Sequence, residues 1–352
     1  MNKGLYIHIP FCRRKCLYCD FYSVALQEGF AERYTEAVKR NIAAYGGSFE
    51  TVYFGGGTPI LLAPYLGEML KGVDIADGAE ITAECNPCEM TDEALSQLRE
   101  GGINRISVGV QSLCDNELSA LGRRHDSDTA IRAIERAKAA GFSDISTDLM
   151  LGIPQQTEES LAQTLETLTA LPITHISAYM LKVEPNTPFG RSTPLLPDED
   201  ATADMYLQTV NSLADKGFHQ YEISNFAKRG YECRHNLKYW RREEYLGIGP
   251  AAHSFMDGRR FAVARDLEEF LNSPRQAEIT TDDSPDEYEE RVMLGLRLSE
   301  GIPEELYKPF EHALKLIPRN YYRIEGGRLS LTAEGFLLSN EIISLLLSHC
   351  KK

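Results

Sequence analysis

At 352 residues the chain can form one large domain, or a large domain with a small one attached, and either way it buries a sizeable core. With 43% hydrophobic and 25% charged residues, global disorder is excluded, and a net charge of −15 argues against a nucleic-acid partner, because a phosphate backbone is bound by a basic face. A local basic cluster, as at Arg123 and Arg124, is compatible with that balance.

No run of about 18 apolar residues is available to span a bilayer, and the N-terminus lacks the apolar stretch of a secretory signal. The expected location is therefore cytoplasmic. In that reducing setting, eight cysteines are metal-binding, catalytic or buried rather than disulfide-bonded.

Taken in chain order, the first half repeats one unit: a β-branched run, a Gly-, Pro- or polar-rich turn, then an amphipathic helix. Strands are expected at 4–9 (GLYIHI), 51–57 (TVYFGGG), 80–87 (EITAECNP), 105–111 (RISVGVQ), 144–152 (DISTDLMLG) and 175–181 (HISAYML). Helical patterns such as DEALSQLREGG and DTAIRAIERAKAAGF lie between them, the second ending on a Gly stop. Strict alternation implies right-handed crossovers and a parallel sheet, closed or partly closed as a (β/α)6 barrel, with an open doubly wound sheet as the alternative. In such folds ligand chemistry gathers at the carboxyl ends of the strands. PFCRRKCLYC, GGGTP, ECNP, GVQS and DLMLGIP all fall there, so they are expected to share one mouth.

After about residue 190 the Pro-rich TPFGRSTPLLPDED breaks the rhythm. A helix over about 199–216 is followed by a loop-rich stretch with YEISNF, CRHNLKYW and YLGIGPAAHSF. Further on, PDEYEERVMLGLRL, PEELYKPFEHALKLI and TAEGFLLSNEIISLLL read as helices, and YYRIEGGRLSL as a Gly-Gly hairpin. That combination predicts a small appended domain of winged-helix type. The expected division is a barrel core with its extension over 1–256 and a small C-terminal domain over 257–352.

Cys12, Cys16 and Cys19 stand in a CxxxCxxC pattern just after the first strand. A structural zinc site closes its tetrahedron with four ligands, and no fourth is at hand, since position 21 is Phe. A four-iron cluster tolerates the shortage, because three thiolates hold three irons and leave the fourth open to a small ligand. The Arg-Arg-Lys run between the cysteines favours thiolate and offsets the cluster's negative charge.

This spacing is the one used by radical S-adenosylmethionine enzymes. Together with YIHIPFC, GGGTP, the Glu-x-Asn-Pro of ECNP, and GVQS in that order, it resembles the oxygen-independent coproporphyrinogen III oxidase family of that superfamily, over about residues 4–256. The resemblance implies a 4Fe-4S cluster on Cys12, Cys16 and Cys19. It also implies S-adenosylmethionine chelated by the open iron and cleaved by an electron from the cluster to a 5′-deoxyadenosyl radical. Tyr6, Tyr18, Gly56, Gly57, Thr58, Glu84, Gln111, Arg123 and Asp148 are the implied S-adenosylmethionine contacts. Gly55 extends the glycine cradle, and some of the others would touch a second cofactor molecule in the oxidases. Each has a plainer alternative: a turn for GGGTP, a cap for Asp148, a strand-end amide for Gln111, a solvated helix terminus for Arg123.

Within the family the oxidases carry a further cysteine where Phe21 stands, and a segment before the first strand. HNLKYW (235–240) instead resembles the HNxxYW pattern of the heme chaperone (HemW-like) branch. That likeness implies heme binding, transfer to heme-requiring respiratory proteins by peripheral contact at the inner face of the membrane, and a homodimer. His235 is the candidate axial ligand, with Tyr239 and Trp240 as flat surface for the porphyrin, although a histidine beside aromatics is also a common structural residue. Cys233 could compete as a thiolate but reads as a buried thiol. Cys85 and Cys88 read as incidental, and Cys114 and Cys350 carry no signal. A coproporphyrinogen III oxidase, and a radical methyltransferase or cyclopropanase, are the alternative functions.

Overall fold

In the computed structural model, which describes residues 3–350, six strands pair in parallel and in sequence order: β1 (Lys3–Ile9), β2 (Ser48–Gly56), β3 (Asp74–Cys85), β4 (Arg105–Gln111), β5 (Asp144–Leu151) and β6 (His175–Met180). All six expected strands are present, and β3 starts six residues earlier than the sequence pattern indicated. A doubly wound sheet reverses its strand order at a switch point. This one does not, so right-handed crossovers place every helix on one side and the sheet curls as a partial barrel.

The strands alternate in a way that a fully covered parallel sheet does not. Leu5, Ile7 and Ile9, then Val52 and Phe54, then Ile106, Val108 and Val110 join the apolar core under the helices. The other parity is polar: Tyr6 and His8, Thr51 and Tyr53, Thr82 and Glu84, Arg105 and Ser107, Ser146 and Asp148, His175 and Ser177. One face is thus packed and the other lines an interior.

The outer layer is α1 (Phe30–Tyr45), α2 (Ala63–Met69), α3 (Asp92–Glu100), α4 (Asp115–Ala120), α5 (Ser127–Ala139) and α6 (Glu158–Ala170). Side-chain oxygens of Thr91, Asp126 and Thr157 accept the free N–H groups that start α3, α5 and α6. The apolar stripe of α6, Leu161, Leu165 and Leu168, is buried in the core. A short α7 (Pro188–Arg191) follows, and α8 (Glu199–Asp215) fills the expected 199–216 helix with Asp198 as its cap.

Both edges of the parallel set are covered. The hairpin β7 (His219–Gln220) and β8 (Asn225–Ala227) adds antiparallel to β6, while β9 (Tyr245–Ile248) adds in parallel to β1. The short α9 (Arg234–Trp240) lies between them in sequence. Beyond β9, β10 (His253–Met256), β11 (Arg259–Val263) and β12 (Glu278–Asp282) continue the same sheet, and α10 (Leu267–Asn272) packs on α1.

A second sheet orders β13 (Ile302–Pro303), β15 (Arg328–Leu331) and β14 (Tyr322–Glu325), the last two forming the expected hairpin with Gly326 and Gly327 both at positive φ. It is flanked by α11 (Glu287–Gly295), α12 (Glu304–Tyr307), α13 (Ala333–Leu337) and α14 (Ser339–Ser348). Two expected helices differ. PEELYKPFEHALKLI is α-helical only over α12 and then winds as a 3-10 helix over Lys308–Leu316, where Pro309 has no N–H to donate. TAEGFLLSNEIISLLL is broken at Leu338 into α13 and α14.

Candidate functional site

The cysteine loop is tied down from both sides at the carboxyl end of β1. Cys12 N donates to Val24 O at 3.0 Å and Val24 N to Pro10 O at 2.7 Å, while Gly57 N reaches Ile9 O and Thr58 N reaches Phe11 O, both at 2.8 Å. The three thiols are free and half-buried. Cys12 Sγ lies 3.4 Å from Thr58 Oγ1, and Arg123 Nη1 donates to Cys16 Sγ at 3.4 Å. Arg123 Nη2 also donates to Gly109 O at 2.6 Å and to Asn86 Oδ1 at 3.3 Å, so one guanidinium joins the loop to the ends of β3 and β4. It interacts with the Tyr18 hydroxyl as well.

Among the described residues no three His, Cys, Asp or Glu side chains converge on one metal ion. Three free, half-buried thiols on one loop fit a cluster, whose thiolates each take a different iron. Burial, with the neighbouring Cys16 and Cys12 adding to it, pushes the Cys19 thiol up to about 11. Iron bound there would displace a proton.

Behind the loop the glycines form a cradle. Gly56 sits at φ 105°, and a Cβ on it would fall 2.4 Å from His8 Cε1; a Cβ on Gly57 would fall 2.7 Å from two backbone oxygens. His8 is fixed in turn, because Nε2 donates to Tyr22 O at 2.9 Å and Nδ1 meets the Tyr6 hydroxyl at 3.0 Å. Below, Glu84 accepts from Gly56 N at 3.0 Å and from the Tyr53 hydroxyl at 3.1 Å. Burial, and the nearby Asp148 after it, raise the Glu84 carboxyl to about 7. Asp148 is itself raised by burial while accepting hydrogen bonds from the Ser107 and Ser177 hydroxyls. Gln111 ends β4 at φ 70°, at a register break against β5. A non-glycine residue at positive φ stores strain, and such strain collects at functional sites. Tyr6, Glu84 and Asp148 keep accessible surface although enclosed by protein, so they line an open interior.

The HNLKYW segment lies at the other end of the strands. α9 starts over Glu80, which accepts from Arg234 N at 2.9 Å and His235 N at 3.0 Å, a carboxylate placed where the helix presents free N–H groups. His235 is fully buried. Its Nδ1 meets Thr51 Oγ1 at 2.8 Å, its Nε2 meets the Tyr239 hydroxyl at 2.7 Å, and its ring stacks 5.3 Å from Tyr53. Burial lowers its pKa to about 3, so the imidazole is neutral. Trp240 is half-buried at the end of α9, and Cys233 is a buried thiol near Glu80.

The radical SAM superfamily model matches residues 6–168. The chain is 36% identical to the heme chaperone HemW of Escherichia coli over 98% of this chain and 98% of that one, and 34% identical to HemW of Bacillus subtilis over 99% and 100%. It belongs to the HemW family of radical SAM proteins. Among solved structures, coproporphyrinogen III oxidase (HemN) of Escherichia coli, a radical SAM enzyme, aligns with a TM-score of 0.83 at 21% identity, covering 98% of this chain and 90% of that chain. At that identity the likeness establishes a shared fold.

In this HemW-family chain the mouth gathers Cys12, Cys16, Cys19, Tyr18, Thr58, Gly56, Gly57 and Arg123, with Tyr6, Glu84, Gln111 and Asp148 around or beneath them. His235 is separate from that group. Sequence reasoning missed His8, which the Gly56 backbone rests on, and Tyr53, which links Glu84 to the His235 ring. It also missed Arg105, buried in the floor with Nε 3.6 Å from Asp144 Oδ1. Their signal was the alternation of polar residues along strands that are otherwise apolar. Among the described residues no helix is long and apolar enough to cross a membrane.

Proposed function

We propose that this chain is a heme chaperone built on a radical SAM core: it binds heme and passes it to heme-requiring respiratory proteins, approached peripherally at the cytoplasmic face of the membrane. Similarity to HemW over nearly the whole length of both chains carries the reading. Cys12, Cys16 and Cys19 would hold the 4Fe-4S cluster, and when bound the cluster and S-adenosylmethionine supply one-electron chemistry. Arg123 holds Cys16 in place and neutralises thiolate charge. Gly56 and Gly57 give the cofactor's amino-acid end access to backbone, Glu84 offers it a carboxylate, and Tyr6, Tyr18, Thr58, Gln111 and Asp148 complete the enclosure. A paired second copy belongs to the same reading on family resemblance.

His235 is the candidate axial ligand in this reading, through Nε2. That nitrogen reaches an iron only after the Tyr239 hydroxyl has left it. A second role for the segment is favoured by the same contacts: with both ring nitrogens engaged and α9 seated on Glu80, HNLKYW acts as a plug for the barrel floor.

The test is anaerobic. The reconstituted protein is expected to take up hemin and yield it to an apo-cytochrome, and to form no protoporphyrinogen IX from coproporphyrinogen III. Formation of that product would overturn the reading. Serine at any of Cys12, Cys16 or Cys19 is expected to abolish bound iron and sulfide.

A further inference from the structure

We infer that heme is received in the open cleft beside the cysteine loop, with Arg13 and Arg124 taking its propionates. This rests on the heme-chaperone reading and puts the cleft in place of His235 as the seat of the heme. The cleft, about 450 Å³, is lined by Cys12, Arg13, Ala25, Leu26, Leu61 and Arg124. It joins a second lobe of about 400 Å³ that shares Arg13, Leu61 and Arg124 and extends to Glu93. Both volumes fall within the roughly 300–1,000 Å³ typical of ligand sites.

The chemistry of the walls selects the ligand. Leu26 is 38% exposed, so apolar surface is offered to solvent beside Ala25 and Leu61. Arg124 Nη1 and Arg13 Nε approach the same oxygen of Glu89, at 3.1 and 3.5 Å. The other oxygen of Glu89 is buried without a partner. One carboxylate thus sets the position of two guanidiniums while engaging a single nitrogen of each. A guanidinium has five N–H donors in a planar fork suited to carboxylates, so outward-facing donors remain on both. Arg13 and Arg124 are the charged side chains lining the first lobe, whereas Glu89 and Glu93 line the second, so the positive charge is concentrated in the first lobe. A flat apolar ring carrying two carboxylates matches that pattern: ring against Leu26 and Leu61, carboxylates against Arg13 and Arg124. Transfer between proteins also needs a cargo within reach of the recipient. The cleft is open at the surface, whereas His235 is fully buried.

The test titrates the full-length, cluster-loaded protein with hemin and with hemin dimethyl ester, which keeps the ring and loses the carboxylates, following the Soret band. Wild type is expected to prefer hemin by about tenfold per guanidinium, or about 1.4 kcal/mol each. Arg124→Gln is expected to lose about tenfold of that preference with iron and sulfide content unchanged, and adding Arg13→Gln in a double variant to lose the rest of it. Leu26→Asp is expected to weaken both ligands at least tenfold, and it carries the test if the double variant fails to hold its cluster. Wild-type affinity and preference retained in these variants, with uptake lost in His235→Ala, would overturn the cleft and leave the chaperone reading standing. No hemin uptake by wild type would overturn that reading and the cleft with it.

Discussion

Replacing Glu84 by glutamine is expected to make the chain more stable and a weaker binder of S-adenosylmethionine. The carboxyl titrates near 7 in the folded chain against an ordinary value of 4.5, because of burial first and Asp148 second. Between those values the folded state keeps a proton that the unfolded chain has released. Stability therefore falls as pH rises from about 4.5 to 7, and the loss is complete above the folded value. At about 1.36 kcal/mol per pH unit, the gap sets an upper limit on the order of 3 kcal/mol, and the residue's partial exposure to the interior brings the expected effect to about 1–2 kcal/mol. Glutamine removes the charge and keeps its one carbonyl for Gly56 N, while its NH2 takes the other oxygen's place and donates to the Tyr53 hydroxyl, which accepts instead of donating. Urea denaturation of wild type and Glu84→Gln at pH 5 and pH 8 measures the effect. The two proteins should converge at pH 5, and the variant should lead at pH 8. A difference that does not change with pH, or a variant less stable at pH 8, would refute the assignment of a strained charge. Calorimetric titration with S-adenosylmethionine should move the opposite way, since a neutral amide gives up attraction for the ligand's ammonium group.

Gly56→Ala puts a Cβ at φ 105° and 2.4 Å from a histidine ring held at both nitrogens, whereas Gly72→Ala faces φ 81° with open space. Both carry the backbone term of about 1–2 kcal/mol, so the larger loss of thermal stability in Gly56→Ala, with S-adenosylmethionine affinity lost only there, reports the contact with His8. Equal losses would deny it. Tyr239→Phe removes the hydroxyl on His235 Nε2 and is expected to lower stability by about 1 kcal/mol while heme uptake at the cleft stays unchanged. Faster uptake in stopped-flow mixing would return the iron to His235.

The parallel core was legible because each strand is a short β-branched run closed by Gly or Pro, and because chemistry in such folds collects at strand ends. That rule brought the cysteine loop, GGGTP and GVQS together from segments some hundred residues apart. The strands that extend the sheet were not legible. β9 is four residues long and finds its partner in β1, at the far end of the chain, so nothing local marks it. The 3-10 turn over Lys308–Leu316 escaped for a related reason: its apolar spacing suits a helix, and the missing N–H of Pro309 weighs against it by a margin that only packing decides. HNLKYW gave residue types suited to heme, and no pattern within six residues tells which end of a barrel they occupy.

The polar parity of the strands was the strongest signal left unread, and it constrains the interior. A polar side chain buried without a partner costs about 1–3 kcal/mol, so such a face persists only where partners, water or ligand meet it. His175 shows the rule: its nitrogens meet the Ser146 and Tyr221 hydroxyls, both at 2.8 Å. Along the inward face of β1 to β6, Thr82 Oγ1 and Arg105 Nε are buried with no hydrogen-bond partner among the described residues, and the two residues are paired across β3 and β4. The Arg105 charge is balanced across space by Asp144 and Glu80. Glu80 in turn anchors α9, so removing the charge at Arg105 would loosen the floor and His235 together.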